Sequence, residues 1–269
     1  MNDIGSELDS AVHVDGRQDN REKSQIPSLD EGYLRILELP EIPLSPDQMP
    51  ETITLPPEVV SNWFAASLEM VPGNNPNPFN ERSGLTEWID NKWRSSRTFK
   101  GKETEVSWLF NLYSDFLRFA GHKPVLYWHT HHGDHETSFM PSMYDAAGIM
   151  SDPASTFIYG VGCPIGISAL LQTQASGNIT KMDIKTRFAL KADLARKEHA
   201  RLVTTNYGDN VRDDAEIFRQ KGLTLYYFVP GRLLTPEDFK NGLTLTKGYP
   251  SPDIIQQLRL HNPNPLPNS

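Results

Sequence analysis

The sequence predicts an α+β fold in which a central sheet is flanked by helices. Short β-prone runs alternate with stretches of helical periodicity through residues 57–269. Turn-forming Pro, Gly and Asn residues separate these runs. Of the 269 residues, 38% are hydrophobic, which supplies enough apolar side chains for one large domain or two small ones.

Residues 1–56 are predicted to be an acidic, Pro-rich, disordered leader. They carry 12 Asp and Glu against 4 Lys and Arg, whereas residues 57–269 carry 22 of each. Residues 1–26 hold too few apolar side chains to offset the entropy of ordering. The apolar patch at residues 33–39 lies among prolines, so we expect it to dock extended and to form no long helix.

A folded core is expected at residues 57–175, and its elements follow in order. A helix begins at Pro57, with proline in its first turn, and ends near Met70. The pattern then predicts a strand over 83–89, a helix over 103–120, a strand over 124–128, a helix over 142–150 and a hairpin of strands 156–161 and 165–173.

Residues 176–269 form the expected C-terminal extension. Helical spacing recurs over 185–203 and 210–221, and a β-prone run covers 223–229. From Gly248 the chain is rich in Pro and Asn, so we expect a loose tail.

Composition and patterning disfavour several classes of protein. No apolar run approaches the roughly 18 residues of a membrane helix, and the N-terminus is polar where a signal peptide would be apolar. We therefore expect a cytoplasmic protein, or one exported by a Sec-independent route. The neutral body offers no basic field for phosphate backbones, so a nucleic-acid partner is not expected. The single cysteine, Cys163, excludes an intramolecular disulfide and is expected in the core or a turn.

Four of the eight histidines fall within residues 129–135. On a strand, His129 and His131 project from the same face and can bind one cation. Asp145 adds a third ligand, three positions after Ser142 on one side of a helix's first turn. Three protein ligands and one water are typical of a catalytic zinc site. Ser142 is alternatively an N-cap, and the two roles compete for one hydroxyl.

Neighbouring residues have less specific roles. The side chain of Thr130, between two ligands, is expected to point to the opposite face and pack. His132 points away from the ligand face. His132 and His135 are expected at the surface, with extra ligands or substrate contacts as alternatives.

The residues His129-Thr130-His131 and Ser142-Met143-Tyr144-Asp145 resemble the signature of the JAMM (MPN-plus, JAB-like) metalloproteases. The gap between the two parts is three residues longer than the family's usual gap, and proline is absent after the second histidine. Pro141 and Ala146-Ala147 resemble the family's loop-to-helix junction. The bulky aromatic residues before His129 make the segment more similar to JAMM-like domains of bacterial Rhs-type and polymorphic toxins than to eukaryotic deubiquitinases.

This resemblance implies a fold and a chemistry. The fold is a JAMM-like central sheet flanked by helices, and the activity is zinc-dependent hydrolysis of a peptide or isopeptide bond in a protein or peptide substrate. His129, His131 and Asp145 would hold Zn²⁺, and Ser142 would donate to the oxyanion. The family also needs an upstream glutamate as general base and acid. Glu81 is the first choice, and the rivals are Glu87, Glu103 and Glu105.

Other functions remain open at this stage. One is a JAMM-like module that binds a metal or a partner without catalysis. Another is an exported toxin or effector whose acidic leader serves delivery. A third is a structural histidine cluster, or an amidase acting on another bond, since one fold hosts many chemistries. The sequence favours no oligomeric state.

Overall fold

One mixed sheet of nine strands runs through the structure, which is a computed structural model that describes residues 29–70, 80–101, 112–114, 116–117, 124–131, 138–151, 157–176, 189, 193 and 207–261. The strands are β1 (Thr52–Leu55), β2 (Arg82–Ile89), β3 (Lys92–Ser95), β4 (Phe99–Lys100), β5 (Leu126–Thr130), β6 (Ile158–Cys163), β7 (Gly166–Gln172), β8 (Leu223–Phe228) and β9 (Leu243–Lys247). Their order is β1-β9-β8-β7-β6-β5-β2-β3, and β4 pairs with β2. Among the described pairs, β5 and β6 alone are parallel.

Helices cover both faces of this sheet. They are α1 (Leu29–Leu37), α2 (Pro57–Glu69), α3 (Met143–Ser151), α4 (Tyr207–Gln220) and α5 (Pro252–His261). Helices α1 and α2 contribute to one apolar core, and α3, α4 and α5 contribute to the other. Successive side chains of β7 point to opposite faces of the sheet. Ile167 and Ala169 face the first core, and Leu170 faces the second. The predicted α+β class is therefore confirmed.

The parallel pairing of β5 and β6 explains where the α3 helix begins. Parallel strands need a crossover connection, and α3 lies in the connection between these two strands. In the described part of this connection, residues 138–142 are turn or irregular structure and lead into α3. The first turn of α3 consequently returns to the end of β5, on the face that carries the second core.

Close packing on the opposite face depends on glycine. The Trp63 ring of α2 lies directly over β6, and a Cβ atom added to Gly160 would lie 2.6 Å from that ring. A side chain at this position would have to displace a fully buried tryptophan. Gly160 is thus needed for the close approach of α2 to the sheet.

Most of the predicted core elements are confirmed. The helix from Pro57, the strand that became β2 and the hairpin of β6 and β7 all form, with Gly160 opposite Ala169 in the hairpin register. Residues 112–114 and 116–117 of the expected helix over 103–120 are helical. The rest of that helix, and nearly all of the helix expected over 185–203, lie outside the described residues.

Part of the expected leader is folded, which differs from the prediction that it stays extended. Residues 29–37 form α1, in which Tyr33 and Ile36 are buried, and Tyr33 donates a hydrogen bond of 2.5 Å to the carbonyl of Gln172. Strand β1 pairs with β9. The prolines follow α1 and flank β1 without interrupting either, so they leave both elements intact.

The C-terminal region also differs from expectation. The tail predicted to be loose contains α5, because Ile255 and Leu258 bury their side chains in the second core. Strands β8 and β9 belong to the same sheet as β5 and β6, so the expected core and extension share one sheet. None of the helices in the described part of the chain is long and apolar enough to cross a membrane.

Candidate metal centre

Two imidazoles and one carboxylate converge at the end of β5. His129 Nε2 lies 2.8 Å from His131 Nε2 and 3.5 Å from Asp145 Oδ1. His131 Nε2 lies 3.6 Å from Asp145 Oδ2. With metal–ligand bonds of roughly 2.0–2.1 Å, tetrahedral ligand atoms stand about 3.3 Å apart. The two distances to Asp145 are close to this value, whereas the two Nε2 atoms are closer together, so His129, His131 and Asp145 could hold one metal ion after a small separation of the two rings.

The strand geometry at the end of β5 directs the imidazoles of His129 and His131 to the same face of the sheet. His131 directly follows the strand, and its N–H donates to the carbonyl of Gly162 at 2.9 Å, which continues the pairing with β6. The strand period of two therefore places His129 and His131 on the α3 face. Thr130 lies on the other face and is fully buried, as expected. Its hydroxyl accepts the N–H of Arg82 at 2.8 Å, which joins the end of β5 to the start of β2.

Ser142 caps helix α3 and holds Asp145. The N–H and Oγ–H of Ser142 donate to Asp145 Oδ2 at 2.7 and 2.8 Å. In return, the N–H of Asp145 donates to Ser142 Oγ at 3.2 Å. This reciprocal arrangement is a capping box with aspartate in the place of glutamate. The predicted N-cap is confirmed, and the same contacts orient the candidate ligand.

Hydrogen bonding and burial leave both histidines ready to bind a cation. His131 Nδ1 lies 3.0 Å from the carbonyl of Ser138. Because a carbonyl only accepts, Nδ1 carries the hydrogen and Nε2 presents its lone pair. Burial lowers the pKa of His129 to about 4, although Asp145 acts in the opposite direction. His129 is therefore neutral at pH 7.

The negative charge of Asp145 also favours the binding of a cation. Burial alone would raise the pKa of Asp145, but His129, His131 and the hydrogen bonds from Ser142 outweigh it and hold the pKa below its ordinary value. Because Nε2 of His131 presents a lone pair, its 2.8 Å contact with His129 Nε2 is favourable only with a proton or a cation between the two nitrogens. His129 Nδ1 is buried and has no hydrogen-bond partner within the described residues.

Strand register places Glu81 on the same face. Strand β2 runs antiparallel to β5, with Ser83 opposite His129. Glu81 directly precedes β2 and His131 directly follows β5, so continuing this register by two positions would set Glu81 opposite His131. Glu81 is partly buried, and its charge helps to raise the pKa of Tyr159, so its carboxylate is near that side chain. The carbonyl of Glu81 also accepts the N–H of Gly101 at 2.8 Å.

Of the rival glutamates, Glu87 is described by the structure and is not brought to this site. Glu87 lies on β2, six residues beyond Glu81, which is about 20 Å at roughly 3.4 Å per residue. It is buried opposite Arg94. Glu103 and Glu105 lie outside the described residues, as do His132 and His135. Cys163 is fully buried in the second core, as expected.

The sequence prediction missed Tyr159. Its hydroxyl donates to Asp145 Oδ1 at 3.2 Å. Its ring stacks on Tyr127 with centroids 4.8 Å apart and stands edge-on to His129 at 5.5 Å. Burial, followed by the charge of Asp145, raises the pKa of Tyr159 well above its usual value, so the phenol keeps its hydrogen. No local pattern signalled it, because its place depends on the β5–β6 register, in which Tyr159 lies two residues before Val161, the partner of His129.

Comparison of the chain with models of protein families, with curated proteins and with solved structures finds no match.

Proposed function

We propose that this protein is a zinc-dependent hydrolase that cleaves a peptide or isopeptide bond. The observation that carries the proposal is the convergence of His129, His131 and Asp145, with the carboxylate-bearing Glu81 opposite them on the same sheet face. Two imidazole nitrogens and one carboxylate oxygen suit Zn²⁺ and leave a fourth position for water. The resemblance of the motif to JAMM metalloproteases supports the same reaction.

The side chains around the ligands have distinct roles in this reaction. A bound Zn²⁺ supplies a water whose pKa is lowered to about 7 and polarises the scissile carbonyl. Glu81 accepts the proton of the attacking water and returns it to the leaving amine. The hydroxyl of Ser142 donates to the developing oxyanion, a contact worth roughly 2.7–4 kcal/mol in other hydrolases. The N–H of Ser142 continues to hold Asp145 when the hydroxyl turns away.

A metal-binding module without hydrolysis is the second candidate. It is favoured by one observation, the commitment of the Ser142 hydroxyl to Asp145 Oδ2. In such a module the hydroxyl would act only in capping α3 and orienting the ligand.

The test begins with metal content by mass spectrometry. The samples are wild type, His131→Ala, Glu81→Gln and the control Glu87→Gln, which neutralises a carboxylate on the same strand far from the site. We expect about one zinc per chain in all except His131→Ala, since three protein ligands define the site. Folded wild-type protein that takes up no zinc after supplementation would overturn the proposal.

Cleavage assays then separate the two candidates. Quenched fluorescent peptide mixtures and isopeptide-linked peptides serve as substrates for zinc-loaded protein. A hydrolase is expected to lose at least about 100-fold in kcat in Glu81→Gln, because general acid–base catalysis contributes 10²–10⁴-fold. Glu87→Gln should retain wild-type activity. Zinc-loaded wild type that is no more active than Glu81→Gln on these substrates would identify the non-catalytic module.

A further inference from the structure

Hydrogen bonds reach both carboxylate oxygens of Asp145, and they come from two different elements. Ser142, at the start of α3, donates twice to Oδ2. Tyr159, on the central strand β6, donates to Oδ1 at 3.2 Å. We propose that Tyr159 is a positioning residue of the metal centre, which holds the Asp145 carboxylate in its ligating orientation and so sets the affinity for Zn²⁺. This inference rests on the proposed function.

The hydrogen bonds from Ser142 hold only one carboxylate oxygen of Asp145 and leave its terminal torsion free to rotate. The hydrogen bond from Tyr159 restrains that rotation. The terminal torsion of an aspartate is broad, so a carboxylate held through one oxygen can still swing the other. The other oxygen, Oδ1, is the one that faces His129 Nε2 at 3.5 Å. The hydroxyl of Tyr159 restrains this oxygen from the sheet side, opposite to the helix that carries Asp145.

The side chain of Tyr159 is itself fixed in position by its neighbours. It pairs with Tyr127 in the parallel register of β5 and β6. The two rings are nearly parallel, at 9°, with centroids 4.8 Å apart. The His129 ring lies against the same phenol, with ring centroids 5.5 Å apart and the planes 65° to each other. Its hydroxyl is therefore placed by the sheet, the element that also places both histidine ligands.

The matched pair of tyrosines provides the test. Tyr159→Phe removes the hydroxyl that contacts Asp145 and keeps the ring stack. Tyr127→Phe removes the neighbouring hydroxyl from the same stack, whereas the hydrogen bonds to the Asp145 carboxylate within the described residues come from Ser142 and Tyr159. Zinc affinity of metal-free protein is measured by competition with a chromophoric chelator, and the melting temperature of the metal-free variants is measured in parallel.

Loss of an outer-shell partner weakens metal binding by about 10–100-fold, which we expect for Tyr159→Phe. Tyr127→Phe should stay within about threefold of wild type, a difference smaller than that range. Wild-type affinity in Tyr159→Phe would overturn the inference, and so would an equal loss in Tyr127→Phe.

A second pair of variants tests the inference even if Tyr159→Phe disturbs the packing around the ring. In an Asp145→Ala background the hydroxyl of Tyr159 has no acceptor to orient, so adding Tyr159→Phe should weaken any remaining zinc binding no further. A further tenfold loss in that background would show that Tyr159 acts by another route and would refute the inference. Failure of the proposed function is distinguishable, since it would leave folded wild type itself without zinc.

Discussion

Replacing Thr130 with valine keeps the shape of a buried side chain and removes the hydroxyl that accepts the Arg82 N–H. The hydrogen bond is 2.8 Å long and joins the strand that carries both histidines to the strand that follows Glu81. Thr130 is fully buried and Arg82 is 4% exposed, so water cannot readily replace the lost acceptor.

The size of the effect follows from the burial of this donor. A buried donor left without a partner costs about 1–3 kcal/mol. At roughly 2–4 °C per kcal/mol for chains near this size, Thr130→Val should lower the melting temperature by about 2–12 °C. Thr130→Ser keeps the hydroxyl and removes one methyl group. Its free energy of unfolding should therefore fall by about 1 kcal/mol, the contribution of one buried carbon.

Urea unfolding followed by circular dichroism measures both variants on metal-free protein. The transition midpoint should fall with an unchanged slope, because the exposed surface of the unfolded state is the same. If Thr130→Val is as stable as wild type, the Arg82 N–H has another acceptor, and the reasoning about this strand junction is refuted.

Three further outcomes are expected. Ser142→Ala should destabilise the protein by about 0.5–2 kcal/mol through loss of the α3 cap, and chemical denaturation that shows no change would contradict the capping role. Gly160→Ala should cost about 1–3 kcal/mol, because its methyl group would lie 2.6 Å from the Trp63 ring, whereas the control Gly148→Ala meets no atom within 4 Å and should be neutral or slightly stabilising by the same assay. The pKa of His129 falls from 6.5 unfolded to about 4 folded, so with chelator present the free energy of unfolding should decrease as pH falls through that window. The dependence should be weaker in His129→Gln, and an equal slope in both proteins would show that His129 is not the group responsible.

Local patterns predicted the elements that support the ligands. The period of two in β5 and the N-cap at Ser142 depend on residues close in sequence, so both could be inferred without knowledge of the fold. The same reasoning underestimated α1 and β1. Strand β1 is stable only because it pairs with β9, where Thr54 Oγ1 lies 3.1 Å from Thr244 Oγ1, 190 residues away. No local pattern contains that partner.

Glu81 and Glu87 show why the candidate site was only partly predictable. Glu81 directly precedes β2 and Glu87 lies within it, an even number of positions away, and composition alone does not distinguish them. The register between β2 and β5 distinguishes them, since it sets Ser83 opposite His129 and so brings only the end with Glu81 to the histidines.

The spacing of His129, His131 and Asp145 was sufficient to nominate the metal ligands, because strand and helix geometry act over a few residues and are written in the chain. The partners of those ligands were decided by tertiary structure. Glu81, Tyr159 and the Thr130 contact reach the site through pairing between strands that are distant in sequence. Such pairing depends on the register of the whole sheet, which is set by the burial of both apolar cores together and by no single segment.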